Sequence, residues 1–228
     1  MIVKVCGITG LDDARMCLDA GADWIGLNLV TGPRRINLVT AVAIVEALDD
    51  PRRAVGLLRL AGPRIPRGAM RLCAAGVRRF QLYGRLTSES LARLKKTDLE
   101  VIAVLAIRSE EDLRDACGQV AGWRTNRPAF ALLDSKVKGK LGGTGVPGNW
   151  EAIAGAQAAG SLRDLPPLLL AGGLTAENVG AAIGRIRPAG VDVCSGVESV
   201  PGRKDSEKVR AFIVAVRAAR EPGDAGRG

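Results

Sequence analysis

Strand-sized apolar segments alternate with helical segments eight times along this chain, and this alternation constrains its fold more than any other feature. Each apolar run is short and rich in Val, Ile or Leu, which is typical of a buried strand, and the segment after it has helical periodicity. The predicted strands are Ile2–Cys6, Trp24–Leu29, Ala54–Leu58, Val77–Leu82, Val101–Ile107, Ala129–Asp134, Leu168–Ala171 and Val191–Cys194. The predicted helices are Leu11–Ala20, Leu38–Leu48, Pro66–Ala75, Ser88–Lys95, Glu110–Gln119, Trp150–Ala159, Thr175–Ile183 and Ser206–Arg220.

Eight strand–helix units predict an α/β fold, a single (β/α)8 TIM barrel with a parallel eight-stranded core over residues 1–220. An open, doubly wound sheet is the alternative. Its dinucleotide-binding fingerprint is incomplete here, because the segment Cys6–Gly10 lacks the third glycine of G-x-G-x-x-G. The irregular segment Ser135–Asn149 follows strand 6 at the expected active face, and the polar composition of Glu221–Gly228 predicts a disordered tail.

Three predicted helices begin at a residue able to cap their free backbone amides. Thr9, Ser109 and Thr175 each come just before or at a predicted helix start. A hydroxyl oxygen at this position accepts a hydrogen bond from an amide of the first turn. We therefore expect all three side chains to cap helices.

The charge balance favours a small anionic ligand. The chain has 33 Lys and Arg against 24 Asp and Glu, a net charge of +9, and such a field attracts anions. Three Trp, three Phe and one Tyr provide few stacking platforms for single-stranded nucleic acid. We therefore expect a phosphate- or carboxylate-bearing small molecule as partner rather than a nucleic acid.

The cysteine pattern indicates the cellular compartment of the protein, and the absence of histidine restricts which residues can transfer protons. Five cysteines without a C-x-x-C pair argue against a disulfide framework and a thiolate metal site. No apolar run has the length of a membrane span, and Met1 leads directly into the first strand rather than into a signal sequence. We therefore expect a protein of the reducing cytoplasm. Because the chain contains no His, proton transfer must use Cys, Asp, Glu, Lys or Tyr.

Residues at the carboxyl ends of the barrel strands are the candidates for catalysis. Cys6 ends strand 1, and its thiol could act as a base if the surrounding charge favours the thiolate; a small buried apolar residue is the alternative. Asp134 follows five apolar residues, and a desolvated carboxyl there would keep a proton to donate. The alternative for Asp134 is a side chain that caps the following loop.

Two glycine-containing turns and one arginine pair are candidates for anion binding. Gly172-Gly173 and Cys194-Ser195-Gly196 follow strands 7 and 8, where barrels often bind phosphate through backbone amides. Ordinary tight turns are the alternative. Arg34 and Arg35 follow Gly32-Pro33 and could clamp a carboxylate, unless they are simply solvated surface charges.

Six motifs in order resemble those of the phosphoribosylanthranilate isomerases, and the match runs from about Ile2 to Ile213. The motifs are KVCGIT at Lys4–Thr9, GADWIG at Gly21–Gly26 leading to Pro33-Arg34, QLYG at Gln81–Gly84, LLDS at Leu132–Ser135 with GGTG at Gly142–Gly145, LAGGLTAENV at Leu170–Val179, and GVDVCSGVE at Gly190–Glu198. This chain has Tyr83 where the family usually has His. It also has Val146–Trp150 in place of the usual lysine-bearing continuation of the strand 6 loop.

The resemblance implies a barrel that rearranges N-(5'-phosphoribosyl)anthranilate to 1-(2-carboxyphenylamino)-1-deoxyribulose 5-phosphate in tryptophan biosynthesis, without metal or cofactor. It makes Asp134 the general acid that opens the ribose ring and Cys6 the general base that removes the C2 proton. The implied substrate-binding residues are Arg34, Tyr83 and Asp192, and the implied phosphate-binding residues are Gly172, Gly173, Ser195 and Gly196.

Two other functions remain open on the sequence. The chain could rearrange another phosphoribosyl amine with the same acid and base, or it could bind a phosphosugar or polyanion without turnover. The presence of both Cys6 and Asp134 favours an active isomerase. The sequence is compatible with a monomer or a homodimer.

Overall fold

The computed structural model describes residues 1–60, 67–107, 109–123, 126–134 and 150–219. Its centre is a closed barrel of eight parallel strands in chain order, with the eighth strand paired to the first. The strands are β1 (Ile2–Cys6), β2 (Trp24–Asn28), β3 (Ala54–Arg59), β4 (Arg79–Tyr83), β5 (Glu100–Ala106), β6 (Phe130–Asp134), β7 (Leu168–Ala171) and β8 (Gly190–Val193). The predicted (β/α)8 barrel is therefore confirmed.

One helix follows each strand and packs outside the barrel. The helices are α1 (Leu11–Asp19), α2 (Leu38–Glu46), α3 (Arg67–Ala74), α4 (Ser88–Leu94), α5 (Glu110–Ala121), α6 (Trp150–Ala158), α7 (Val179–Ile186) and α8 (Ser206–Ala218). The large apolar core lies between strands and helices, and a smaller cluster that includes Val55, Leu132 and Leu169 fills the barrel interior. Both strand faces are thus buried, as the continuous apolar runs indicated.

The helix caps agree only in part with the sequence predictions. Ser109 caps α5 as expected, because its Oγ accepts from the Asp112 amide at 3.2 Å. The prediction for Thr9 is wrong: Gly10 precedes α1, and the Thr9 hydroxyl instead donates to the Gly202 carbonyl at 2.6 Å. This contact ties the loop after β1 to the segment after β8.

The prediction for Thr175 is also wrong, because α7 begins four residues later, at Val179. The Asn178 side chain folds back over the preceding turn. Its Oδ1 accepts from the Thr175 amide at 2.8 Å, and its Nδ2 donates to the Gly173 carbonyl at 2.9 Å. This local hydrogen bonding competes with the helix and shapes the loop after β7.

A small hairpin between β8 and α8 was not predicted. Its strands, β9 (Glu198–Val200) and β10 (Arg203–Lys204), pair antiparallel, and Gly202 turns between them with φ of 89°. The strands are too short and too polar to stand out as apolar runs. The hairpin carries Glu198 and Lys204 to the rim of the barrel.

Two predictions concern residues outside the described ranges: the irregular segment Ser135–Asn149 and the disordered tail Glu221–Gly228. Within the described ranges, no helix is both long enough and apolar enough to span a bilayer.

Candidate active site

A cavity of about 190 Å³ opens at the carboxyl ends of the barrel strands, where (β/α)8 enzymes bind their substrates. Its lining comprises Cys6, Gly7, Asn28, Arg34, Leu57, Tyr83, Leu132, Asp134, Ala171, Gly172, Gly173, Leu174, Asp192, Cys194 and Ser195. The resemblance implied nine site residues, and eight of them are in this set, as is Cys194, whereas Arg35 is exposed and outside it. The ninth, Gly196, lines an adjoining cavity together with Thr175, Ala176 and Lys208.

The two candidate proton-transfer residues face the same space. Cys6 is the last residue of β1 and is 7% exposed, and Asp134 is the last residue of β6 and is half-buried. Strands β7 and β8 lie between them around the barrel. Because the sheet closes, residues 128 positions apart in the chain line one cavity.

A second thiol lies beside Cys6. Val5 of β1 pairs with Val193 of β8, so Cys6, at the end of β1, and Cys194, just after β8, are neighbours. Interaction with Cys194 and burial raise the pKa of Cys6 above its ordinary value, against the attraction of the Lys4 ammonium. The pKa of Cys194 is lowered to about 7, because Cys6 hydrogen-bonds to the thiolate and Lys204 lies close, although burial opposes this.

These opposite shifts describe one coupled pair rather than two separate thiols. The pair loses its first proton at about pH 7, and the second proton is held far more tightly. Near pH 7 the pair is therefore partly ionised, and in the ionised form the two sulfurs share one proton and one negative charge. When that shared proton resides on Cys194, the negative charge resides on Cys6, which is then the thiolate beside the cavity.

A buried ion pair lies directly below the thiols. The Lys4 Nζ donates to Asp192 Oδ1 at 2.7 Å, with 0% of the lysine side chain exposed. Burial alone would lower the pKa of Lys4, but the Asp192 carboxylate and the nearby Cys6 raise it above its ordinary value. Lys4 therefore stays charged and attracts negative charge on Cys6.

Sequence reasoning missed Lys4, because a lysine within a strand usually points to solvent. The signal that could have found it is strand periodicity. Residues two apart in a strand share one face, so Lys4 must point into the barrel if Cys6 does. Since a buried lysine requires a partner, the acidic residue at the same level of a neighbouring strand, Asp192, was the candidate.

Arg34 is held in place by the hairpin after β8. Its Nε donates to Glu198 Oε1 at 2.7 Å, and its Nη2 donates to Glu198 Oε2. The Lys204 Nζ donates to the same Oε1 at 2.9 Å and to the Cys194 carbonyl at 3.1 Å. Although burial opposes it, these two cations lower the pKa of Glu198 below its ordinary value.

This arrangement changes how Arg34 can meet a substrate. One edge of the guanidinium is occupied by Glu198, and within the described part of the chain Nη1 makes no hydrogen bond. An anion in the cavity would therefore meet the Nη1 edge rather than the Nε–Nη2 fork. Glu198 was not nominated from the sequence, because nothing local indicates that a hairpin returns it to Arg34.

Tyr83 lies at the end of β4 on the cavity wall, and its hydroxyl accepts from Gln81 Nε2 at 3.0 Å. Burial raises the pKa of Tyr83, and the neighbouring Cys6 adds to this effect. The phenol therefore remains protonated and can act only as a neutral hydrogen-bond donor or acceptor. Gln81 is 1% exposed, and its Oε1 has no hydrogen-bond partner within the described residues.

Replacing Tyr83 by Phe is expected to lower the free energy of unfolding by about 1–3 kcal/mol, because the buried Gln81 Nε2 donor then loses its acceptor. Urea unfolding of the single variant gives this loss directly. The double variant Tyr83→Phe/Gln81→Leu is the control, and it should be more stable than the sum of the two single effects predicts. Additive effects, or an unchanged Tyr83→Phe midpoint, would contradict the role given to this hydrogen bond.

The turns after β7 and β8 form adjoining walls of the cavity. Gly172 and Gly173 have φ of 100° and 67°, in the region that favours glycine, so larger residues would strain this turn. Ser195 begins a short 3-10 turn, Ser195–Val197, and a Cβ at Gly196 would overlap the Leu174 carbonyl oxygen. The close approach of the two turns places their backbone side by side, as a phosphate cradle requires.

Among the described residues, no cluster of three or more Cys, Asp or Glu is arranged to hold a metal ion. The ionisable groups in and around the cavity are the thiols, the carboxyls and the fixed cations. Two thiols, two carboxyls and two glycine turns line one small cavity, and the Lys4 ammonium is buried beside it. This arrangement suits proton transfer on a compact phosphorylated molecule.

Comparison with known proteins agrees with this geometry. The sequence model of the N-(5'phosphoribosyl)anthranilate (PRA) isomerase family matches residues 3–215. A curated relative, the N-(5'-phosphoribosyl)anthranilate isomerase of Moorella thermoacetica, is 39% identical over 221 residues, which cover 96% of this chain and 91% of the relative.

Solved structures agree as well. The crystal structure of phosphoribosyl anthranilate isomerase from Thermotoga maritima superimposes with a TM-score of 0.79 at 29% identity, covering 96% of this chain and all of that one. A second isomerase structure, a complex with reduced 1-(o-carboxyphenylamino)-1-deoxyribulose 5-phosphate, has a TM-score of 0.75 at 27% identity and the same coverage. The chain therefore belongs to the N-(5'-phosphoribosyl)anthranilate isomerase family.

Proposed function

We propose that this chain catalyses the Amadori rearrangement of N-(5'-phosphoribosyl)anthranilate to 1-(2-carboxyphenylamino)-1-deoxyribulose 5-phosphate in tryptophan biosynthesis. This reaction belongs to the aldose–ketose isomerisations, in which one carbon of the substrate is oxidised while its neighbour is reduced. The observation that carries the proposal is that Cys6 and Asp134 line one cavity together with the glycine turns after β7 and β8. Family membership supports the identity of the substrate.

Asp134 is the proposed general acid. A protonated carboxyl at the end of β6 can donate to the ribose ring oxygen, while the bond between that oxygen and C1 breaks. The anthranilate nitrogen then shares its electron pair with C1, and a Schiff base forms. The position of Asp134 at the strand end, facing the cavity, supports this role.

Cys6 is the proposed general base. Its thiolate removes the C2 proton of the Schiff base, and the resulting enolamine tautomerises to the ketone product. Cys194 shares the proton of the pair, and Lys4 provides a fixed positive charge that favours a thiolate on Cys6. The thiol pair with its buried cation thus fits the need for a base in a chain without His.

The anionic ends of the substrate are proposed to anchor it. Backbone amides of Gly172, Gly173, Ser195 and Gly196 would bind the phosphate, as helix and turn amides commonly do. The Nη1 edge of Arg34 would contact an anionic or polar group, while Glu198 fixes its orientation. Asp192 and Tyr83 complete the wall beside the reacting carbons. The net charge of +9 would attract a substrate that carries phosphate and carboxylate.

The state of the cysteines supports a proposed cytoplasmic location. All five are free thiols, and a reducing compartment would keep them so. The proposed base is one of them.

The reaction is tested by following the fluorescence of N-(5'-phosphoribosyl)anthranilate after addition of protein purified from a host that lacks its own isomerase. The fluorescence should decay in proportion to protein concentration as product forms. Unchanged fluorescence with protein shown to be folded by circular dichroism would contradict the proposal. Decay with another phosphoribosyl amine only would reassign the substrate.

The fall in activity on the acid side of the pH–rate profile should follow the ionisation of the Cys6–Cys194 thiol pair. Below about pH 7, to which the pKa of Cys194 is lowered, kcat/KM is expected to fall about tenfold per pH unit, because the pair gains a second proton and loses its thiolate. The buried groups Lys4 and Asp192 face the same thiols, so Cys194→Ser is measured in parallel. This variant should shift the acid limb to higher pH, since Cys6 then loses the hydrogen-bonded sulfur with which it shares the charge. An unshifted limb would assign the ionisation to another group.

A further inference from the structure

Cys6 and Cys194 are positioned for a bond to each other as well as for catalysis. They follow the paired residues Val5 and Val193 of adjacent strands. Neighbouring strands lie about 4.8 Å apart, which is within the range of about 4.4–6.8 Å between the Cα atoms of a disulfide. The Cys194 sulfur also lies against the backbone next to Cys6, since a Cβ built on Gly7 would be 2.9 Å from it.

Both sulfurs are also accessible, and that of Cys194 is activated. Both residues line the open cavity, so a small oxidant can reach them. The Lys204 Nζ is 3.9 Å from the Cys194 Sγ, and a neighbouring cation stabilises the thiolate, which is the reactive form. The low pKa of Cys194 agrees with this environment.

The other three cysteines differ in these respects. Cys17 is fully buried in α1, and Cys73 and Cys117 lie on α3 and α5. Burial raises the pKa of all three, although Arg78 partly opposes the effect at Cys73. None of the three lines the catalytic cavity. An oxidant should therefore act first on the pair in the active site.

We propose that Cys6 and Cys194 form a reversible disulfide when a hydroperoxide oxidises the protein, and that this modification switches the enzyme off. The inference rests on the proposed function for its effect on activity, because Cys6 is the proposed base. A sulfur bonded to another sulfur has no thiolate electron pair with which to remove the C2 proton. Reduction of the disulfide by a dithiol would restore the base.

The oxidation balances with hydrogen peroxide as the only co-reactant. The Cys194 thiolate attacks one peroxide oxygen, an S–O bond forms, the O–O bond breaks, and the departing hydroxide takes up a proton to become water. The Cys6 sulfur then attacks the oxidised sulfur, so that an S–S bond forms and the oxygen leaves as a second water. Two thiols lose two electrons in total, and one peroxide gains them.

The test treats wild-type protein with hydrogen peroxide, removes the excess with catalase, and measures activity before and after dithiothreitol. We expect loss of most of the activity, full recovery on reduction, and a non-reduced peptide map in which Cys6 and Cys194 are linked. In Cys194→Ser, compared with its own untreated activity, both the thiolate that attacks peroxide and the disulfide partner are absent, so the variant should lose much less activity than the wild type, and dithiothreitol should restore little. Cys117→Ser is the matched control and should behave like the wild type.

Two results would overturn the proposal: a wild-type map without the Cys6–Cys194 link, or a Cys194→Ser variant that peroxide inactivates and dithiothreitol restores to the same extent as the wild type. Cys194→Ala replaces the serine variant if the latter does not fold. The peptide map needs no substrate. A linked pair in a protein without isomerase activity would therefore refute the proposed function and leave the disulfide standing.

Discussion

Replacing Asp134 by Asn is expected to lower turnover by about 10²–10⁴-fold, the usual contribution of a general acid, with a much smaller change in product binding. The amide keeps the shape of the carboxyl but has no acidic proton for the ribose ring oxygen. Ring opening would then depend on water or on an undirected donor. Turnover is measured from the decay of substrate fluorescence at saturating substrate, and binding is measured with the product.

The matched control is Asp115→Asn, which makes the same chemical change on the exposed surface of α5, away from the catalytic cavity. It should leave turnover unchanged. If Asp134→Asn also turns over like the wild type while folded, Asp134 does not donate the proton. A loss confined to product binding would give Asp134 a binding role instead.

The barrel was predictable because its signal is local and repeated. A strand buried on both faces must be apolar at almost every position, as Leu168–Ala171 is. Eight such runs, each followed by a helix, leave few alternatives to a closed parallel sheet. Strand ends then indicated the candidate active face without any knowledge of contacts, and Cys6 and Asp134 were nominated from this position alone.

The missed features depend on contacts between distant parts of the chain. Lys4 is buried because the barrel brings Asp192 within 2.7 Å, across 188 positions of sequence. Glu198 reaches Arg34 through a hairpin too short and polar to be recognised. The late start of α7 depends on which local hydrogen bond the Asn178 side chain makes, and a list of helix-forming residues does not determine that choice.

The ionisation of Cys6 is another feature that could not be predicted from the sequence. The sequence placed a cysteine at the ends of both β1 and β8, but the pairing of these strands follows only from closure of the sheet. Closure makes Cys6, the proposed base, one half of a coupled pair, with Lys4 below it and Lys204 beside Cys194. The pKa of Cys6 therefore depends on neighbours that only the closed barrel brings together, whereas its position at the end of β1 could be predicted from the sequence.

Replacing Cys6 by Ser is expected to lower turnover by about 10²–10⁴-fold, because a serine hydroxyl does not ionise near neutral pH and cannot remove the C2 proton. The change in size is small, so the cavity and product binding should be kept. Steady-state turnover and product binding are measured as for Asp134→Asn. Cys117→Ser, a substitution of the same kind on α5, should have wild-type activity.

An isotope measurement separates the two roles. If Cys6 removes the C2 proton, the residual turnover of Cys6→Ser becomes limited by this step, and substrate deuterated at C2 should show a large primary isotope effect. Asp134→Asn impairs the earlier ring opening, so deuterium at C2 should have little effect on its residual rate. The opposite pattern would exchange the acid and base assignments, and equal effects in both variants would show that neither residue acts on the C2 proton alone.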